Sequence, residues 1–269
     1  MKLSDFYALL NEAAPKMISD EYCALVNGYD NSGILVDCGE EIVGALFSLD
    51  LTNAAIEKAI SLGANLIVTH HPAIYGKIGN IRADDSGLLG GKLVKCLRSG
   101  ISVVSMHLNL DMTDCGVDES LMQGIALAAG DKKPSNVEKM LVVEHGAYGR
   151  AYDVAETTLG ELVENMKKVF ATERILTYGA VDKKISRAAS FCGAGGDEAG
   201  VAFAKKSGAD VMISSDFKHH VLTLAVESGL AVIALTHYAS ENYGFEKYCK
   251  KIRQQTNLPC EFHTDVDLL

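Results

Sequence analysis

His70 and His71 stand side by side after the apolar run NLIVT (65–69), with Pro72 behind them. Neighbouring residues in an extended strand point to opposite faces. Two adjacent imidazoles therefore do not readily chelate one ion, but each can serve a different ion where a strand ends. Pro72 biases His71 toward extended geometry and marks that end. For the dipeptide alone, the alternative is a surface pair in a loop. A second set is His237 and Glu241, whose i to i+4 spacing places both on one face of a helical turn. Imidazole plus carboxylate suits zinc, iron or manganese better than calcium. The alternative here is a helix start, where Ser240 or Glu241 would serve in capping and dipole compensation. The stretch HLNLD (107–111) adds a carboxylate. Asp111 is its natural ligand, or else a loop residue opening the turn before Gly116. His107 and Asn109 share its face if the segment is extended, where they would orient ligands.

Two further segments carry chemistry-bearing residues. FCGAGGDEAG (191–200) reads as strand, Gly-rich turn and helix start. It matches no phosphate-loop pattern, and Asp197 and Glu198 already compensate the helix dipole, so a structural role is favoured over phosphate contact. DFKHH (216–220) supplies Asp216, Lys218, His219 and His220, either as an acid/base set or with Asp216 as a helix cap.

The elements that must position these residues alternate between strand and helix. Helices are expected over 3–14, 52–62, 86–98, 118–129, 158–170, 197–207, 218–228 and 241–256. Strands are expected over 43–48, 65–69, 101–106, 174–178, 186–192, 210–215, 231–236 and 260–263, with a hairpin over 140–154. Such alternation predicts an α/β fold with mostly parallel sheets flanked by helices. AISLGANLIVTHH (59–71) parallels AKKSGADVMISSD (204–216), and RSGISVVSMHL (98–108) parallels ESGLAVIALTH (227–237). Both pairs point to an internal duplication and two similar lobes. The expected division is residues 1–128 with 237–269 in one lobe and 129–236 in the other. Ligands bind beyond the carboxyl ends of strands in such sheets, and His70, His71, His107, Asp111, His237 and Glu241 all fall at strand exits.

The chain has 269 residues and a formal net charge of −10. That charge argues against broad binding to nucleic-acid backbones or anionic membranes. No apolar run is long enough to span a membrane, and the first residues lack a signal peptide, so a cytoplasmic location is expected. The seven cysteines show no C-x-x-C spacing, which makes reduced, buried thiols the expectation.

The stretches DNSGILVD (30–37), LDLTNAAIEKAISLGANLIVTHHPAIYGKIGNI (49–81), HLNLDMTDCGVDESL (107–121), CGAGGDEAG (192–200), ADVMISSDFKHH (209–220) and THYASE (236–241) occur in this order. Together they resemble the Nif-three-like dinuclear-metal family, commonly named GTP cyclohydrolase 1 type 2 homologues, in its short form without an inserted domain. The resemblance implies two interlocked α/β lobes and a ring-shaped homohexamer, a trimer of dimers. It implies two divalent ions (zinc, iron, manganese, nickel or cobalt) held by His70, His71, Asp111, His237 and Glu241. His107 and His220 match positions near that site. The function it implies is metal-dependent hydrolysis of a nucleotide or related ring compound. The other reading is a non-enzymatic metal-binding regulator, metallochaperone or scaffold. SSDFKHH departs from the family's more frequent Thr-Gly before the Asp, so no catalytic residue is assigned there.

Overall fold

The computed structural model describes residues 1–84 and 87–269. The chain divides into two compact units: Met1–Thr113, Val143–His145 and Phe245–Asp265 form the first, and Asp114–Val142, Gly146–Gly244 and Val266–Leu269 the second.

The first unit is built on a five-stranded sheet in the order Gly33–Val36, Ser102–Ser105, Leu66–Thr69, Ala45–Ser48, Cys260–His263. All neighbours are parallel except the edge strand Gly33–Val36, which runs antiparallel to Ser102–Ser105. Alternation along the strands fills two faces. Leu46, Ile67 and Val103 pack with Ile56, Leu93 and Cys96 from the helices Asn53–Leu62 and Leu89–Arg98. On the other side Phe47 meets Phe245 and Tyr248, and the Tyr248 hydroxyl donates to the Leu10 carbonyl at 2.9 Å. Local signals set the helix ends. Thr52 Oγ1 accepts from the Ala55 N–H at 3.0 Å, and Gly63 stops the same helix with φ of 67°. The helix expected over 86–98 is seen as Leu89–Arg98, and its first expected residue, Ser86, lies outside the described residues.

The second unit holds a six-stranded sheet in the order Ser135–Val142, Ala147–Thr158, Lys184–Ser190, Val211–Ser214, Ala231–Ala234, Leu176–Tyr178. Lys184–Ser190, Val211–Ser214 and Ala231–Ala234 run parallel, and Leu176–Tyr178 closes one edge antiparallel. This echoes the first sheet, where an antiparallel edge strand likewise lies beside the last of a parallel set, four strands there and three here. The sheet as a whole is mixed instead of mostly parallel, because the hairpin Ser135–Val142/Ala147–Thr158 joins it antiparallel. Ala151, Phe191, Met212, Val221 and Val232 form its core.

The helix Val117–Ala128 falls in the second unit, although the sequence places it in the first lobe. Asp118 in its first turn explains the assignment. Its carboxylate accepts from the N–H groups of Gly149 at 3.0 Å and Cys192 at 3.1 Å, and from the Arg150 guanidinium. Both members of the Asp118–Arg150 ion pair are buried. The return to the first unit comes after Gly244 instead of before His237. A Cβ at Gly244 would meet the Val117 Cα at 2.8 Å, so residues 237–244 lie close against the second unit's own helix.

Candidate metal centre

In the first unit, the candidate residues gather at the carboxyl ends of three parallel strands. His70 and His71 leave Leu66–Thr69, and both backbone N–H groups donate to the Leu49 carbonyl, at 3.1 and 3.0 Å. The strand has ended by this point, and the two rings lie side by side with centroids 5.0 Å apart. His70 is fully buried and its Nδ1 lies 2.8 Å from the Met106 carbonyl. A carbonyl can only accept, so Nδ1 carries a proton, and Nε2 is turned away from that carbonyl. That Nε2 lies 3.3 Å from Oδ1 of buried Asp111. His71 is held in the same manner, its Nδ1 2.8 Å from Oδ1 of Asp50. His107 Nδ1 lies 2.8 Å from Oδ1 of Asp30. His70, His71 and His107 can bring one nitrogen each within 4.8 Å of the others.

The Asp30 side chain is buried. Burial alone would raise its carboxyl, but the hydrogen bonds from His107 and Ser32, with the His107 charge, together hold it below the usual carboxylate range. It therefore stays ionised beside the imidazole it orients.

The segment 107–111 is not extended. Leu108–Met112 forms a short helix that starts at His107, and the face shared by His107, Asn109 and Asp111 in a strand is lost. Asn109 turns away and donates to the Ala14 carbonyl at 2.7 Å, so it fastens the chain behind the first helix and orients no ligand. His107 and Asp111 instead lie a helical turn apart.

The second unit presents a smaller set. The helix His237–Arg253 begins at His237 itself, four residues before the expected start, with Thr236 Oγ1 accepting from the Ala239 N–H at 3.0 Å. His237 Nδ1 lies 2.5 Å from Oδ2 of Asp216, and its Nε2 lies 3.2 Å from Oε1 of buried Glu241. Asp216 thus orients an imidazole instead of capping a helix, and it does so from a left-handed backbone with φ of 54°. His220 pairs with Glu198 on the exposed surface at 2.8 Å and takes no part in this set.

The Gly-rich turn has a steric role. Gly193 has φ of 55°, its N–H donates to Ser240 Oγ at 3.1 Å, and a Cβ there would meet Glu241 Oε1 at 2.2 Å. Only glycine lets this backbone back the carboxylate so closely. Gly193→Ala is accordingly expected to displace Glu241 and to weaken metal binding about ten-fold or more, read by titration against a chromophoric chelator. Unchanged affinity would mean that Glu241 is no ligand.

Every imidazole of both sets is thus tied at Nδ1 to a carbonyl or a carboxylate, leaving Nε2 as the nitrogen turned away from that partner. That is the arrangement by which proteins fix the tautomer and aim of metal-binding histidines. The donors present fit a divalent transition metal. The orienting acids Asp30, Asp50 and Asp216 did not emerge from spacing. Asp50 follows the strand Ala45–Ser48, so the strand-exit rule was the available signal.

The sequence profile of Duf34/NIF3 (NGG1p interacting factor 3) matches residues 1–266. The chain belongs to the Duf34/NIF3 family. Two bacterial relatives named GTP cyclohydrolase 1 type 2 homolog support the placement. The protein from Clostridium perfringens is 29% identical over 97% of this chain and 95% of its own length. That from Clostridium acetobutylicum is 30% identical over 90% and 85%. Among solved structures, Staphylococcus aureus SA1388 superposes with a TM-score of 0.81 at 23% identity, covering 98% of this chain and 96% of that one. Reduced HcgD from Methanocaldococcus jannaschii gives 0.78 at 25% identity, covering 97% of each. The Duf34/NIF3 fold is therefore that of this chain, and both units share its α/β character. Among the described residues, no helix is long and apolar enough to cross a membrane.

Proposed function

We propose that His70, His71, Asp111, His237 and Glu241 hold two divalent metal ions, and that the protein is a metal-dependent hydrolase of a nucleotide or related ring compound. The observation that carries this reading is the fixing of each imidazole at Nδ1 by Met106, Asp50 or Asp216. The relatives' name points to the same chemistry. When bound, two divalent ions supply Lewis acidity and lower the pKa of a water molecule. Asp50 and Asp216 keep His71 and His237 in the tautomer that presents Nε2. His107, fixed by Asp30, is placed to hold or release a proton at Nε2. A ring-shaped homohexamer in the cytoplasm belongs to the same reading, and light scattering on the eluted protein measures the assembly directly.

The test is metal analysis by mass spectrometry together with turnover of GTP and a phosphoester panel. About two ions per chain and hydrolysis abolished by Glu241→Gln are expected. Metal-loaded protein that turns over nothing, with Glu241→Gln changing only metal content, leaves a metal-binding protein without hydrolase activity and overturns the catalytic part.

A further inference from the structure

The second unit contains a cavity of about 550 Å³ whose wall includes Asp216, the residue that orients His237. Its volume lies within the range of small-molecule sites. Tyr178, Phe217 and Leu222 line it, each only partly covered by protein, together with the buried Leu235. Such walls suit a flat, apolar-faced ring. The polar groups narrow the chemistry further. Glu173 and Asp216 bring two carboxylates to the rim, and the one guanidinium, Arg174, already donates to the Asp267 carbonyl at 2.5 Å. A polyphosphate finds little to bind it there. A carboxylate accepts at both oxygens, so Asp216 can engage His237 through Oδ2 and also receive a ring N–H. Its left-handed φ of 54° is a backbone cost borne at this position by a residue that touches both features.

We infer that this cavity binds a neutral aromatic heterocycle carrying N–H donors, such as a purine base, and presents it beside His237. For the use made of the ring, the inference rests on the hydrolase reading above; the binding itself does not. Any phosphates of such a ligand lie outside the cavity.

The test uses the full chain loaded with metal, with guanosine as probe and ribose 5-phosphate as the ring-free control, followed by calorimetry. Guanosine is expected to bind and ribose 5-phosphate not to. Leu222→Trp narrows the cavity and should weaken guanosine about ten-fold or more, with metal content and melting temperature unchanged. Phe217→Ala removes an aromatic wall without adding bulk and should weaken it as well, which covers the case in which the tryptophan variant misfolds. Guanosine affinity untouched by both variants, or ribose 5-phosphate binding as tightly as guanosine, overturns the inference. Protein that holds its metal but binds no guanosine overturns the cavity alone. Guanosine bound as described by a chain that retains no metal supports the cavity and overturns the hydrolase reading.

Discussion

Replacing His70 by alanine is expected to remove metal from the purified chain and to destabilise the first unit by on the order of 3 kcal/mol. Two losses combine. The ring is fully buried, with the His71, His107 and Phe245 rings around it at centroid distances of 5.0, 5.4 and 5.8 Å. Its removal leaves a cavity and takes away the donor that the Met106 carbonyl accepts from. It also leaves the Asp111 carboxylate, buried at 5% exposure, without the imidazole nitrogen 3.3 Å away. His71→Ala separates the two effects. That side chain is one-quarter exposed and bonds to the more open Asp50, so it should lose metal with a much smaller fall in stability. Metal analysis and urea denaturation of the two variants decide the matter. If both retain a full complement of metal, the adjacent histidines are structural and the proposed centre is wrong.

Arg150→Met should cost about 3–5 kcal/mol, because it strands the Asp118 charge in the interior of the second unit. Replacing both partners of a buried pair by apolar residues is often neutral. Here it should not be, since Asp118 also receives the N–H groups of Gly149 and Cys192. Combining Arg150→Met with Asp118→Leu is therefore expected to leave the protein no more stable than the single variant. The damage should also reach the site. Asp118 fixes Cys192, and the next residue, Gly193, backs Glu241. Denaturation curves showing a loss below about 1 kcal/mol for Arg150→Met would mean that the pair contributes little.

Much of this could be read from the amino-acid order because the signals are local. Apolar runs gave the parallel strands, Thr52 and Gly63 bounded a helix, and strand exits gathered the histidines. What stayed hidden depends on long-range partners. Asp30, Asp50 and Asp216 look like ordinary turn or cap residues until the imidazoles they orient are brought beside them. Pro15 marks the end of the first helix, yet it also caps a second one, Lys16–Val26, with no side-chain signal of its own. Gly33–Val36 is an edge strand with only Gly33 buried, unlike the fully buried strands of the same length beside it. The helix Leu108–Met112 is one turn long without a side-chain cap, so its polar residues mimicked strand alternation.

The strand Cys260–His263 lies parallel beside Ala45–Ser48 and completes an edge of the first sheet. All of the second unit's sheet is encoded between them. During synthesis, therefore, the ribosome delivers every strand of the second sheet before the last strand of the first. The earliest-made segment must wait, its Ala45–Ser48 edge uncovered, while the later-made sheet can already close. Such distant pairing is slow to form, and an uncovered strand is a place where nascent chains stick to one another. The nascent protein is thus most vulnerable to aggregation late in translation, and His70 and His71 sit in the unit that matures last.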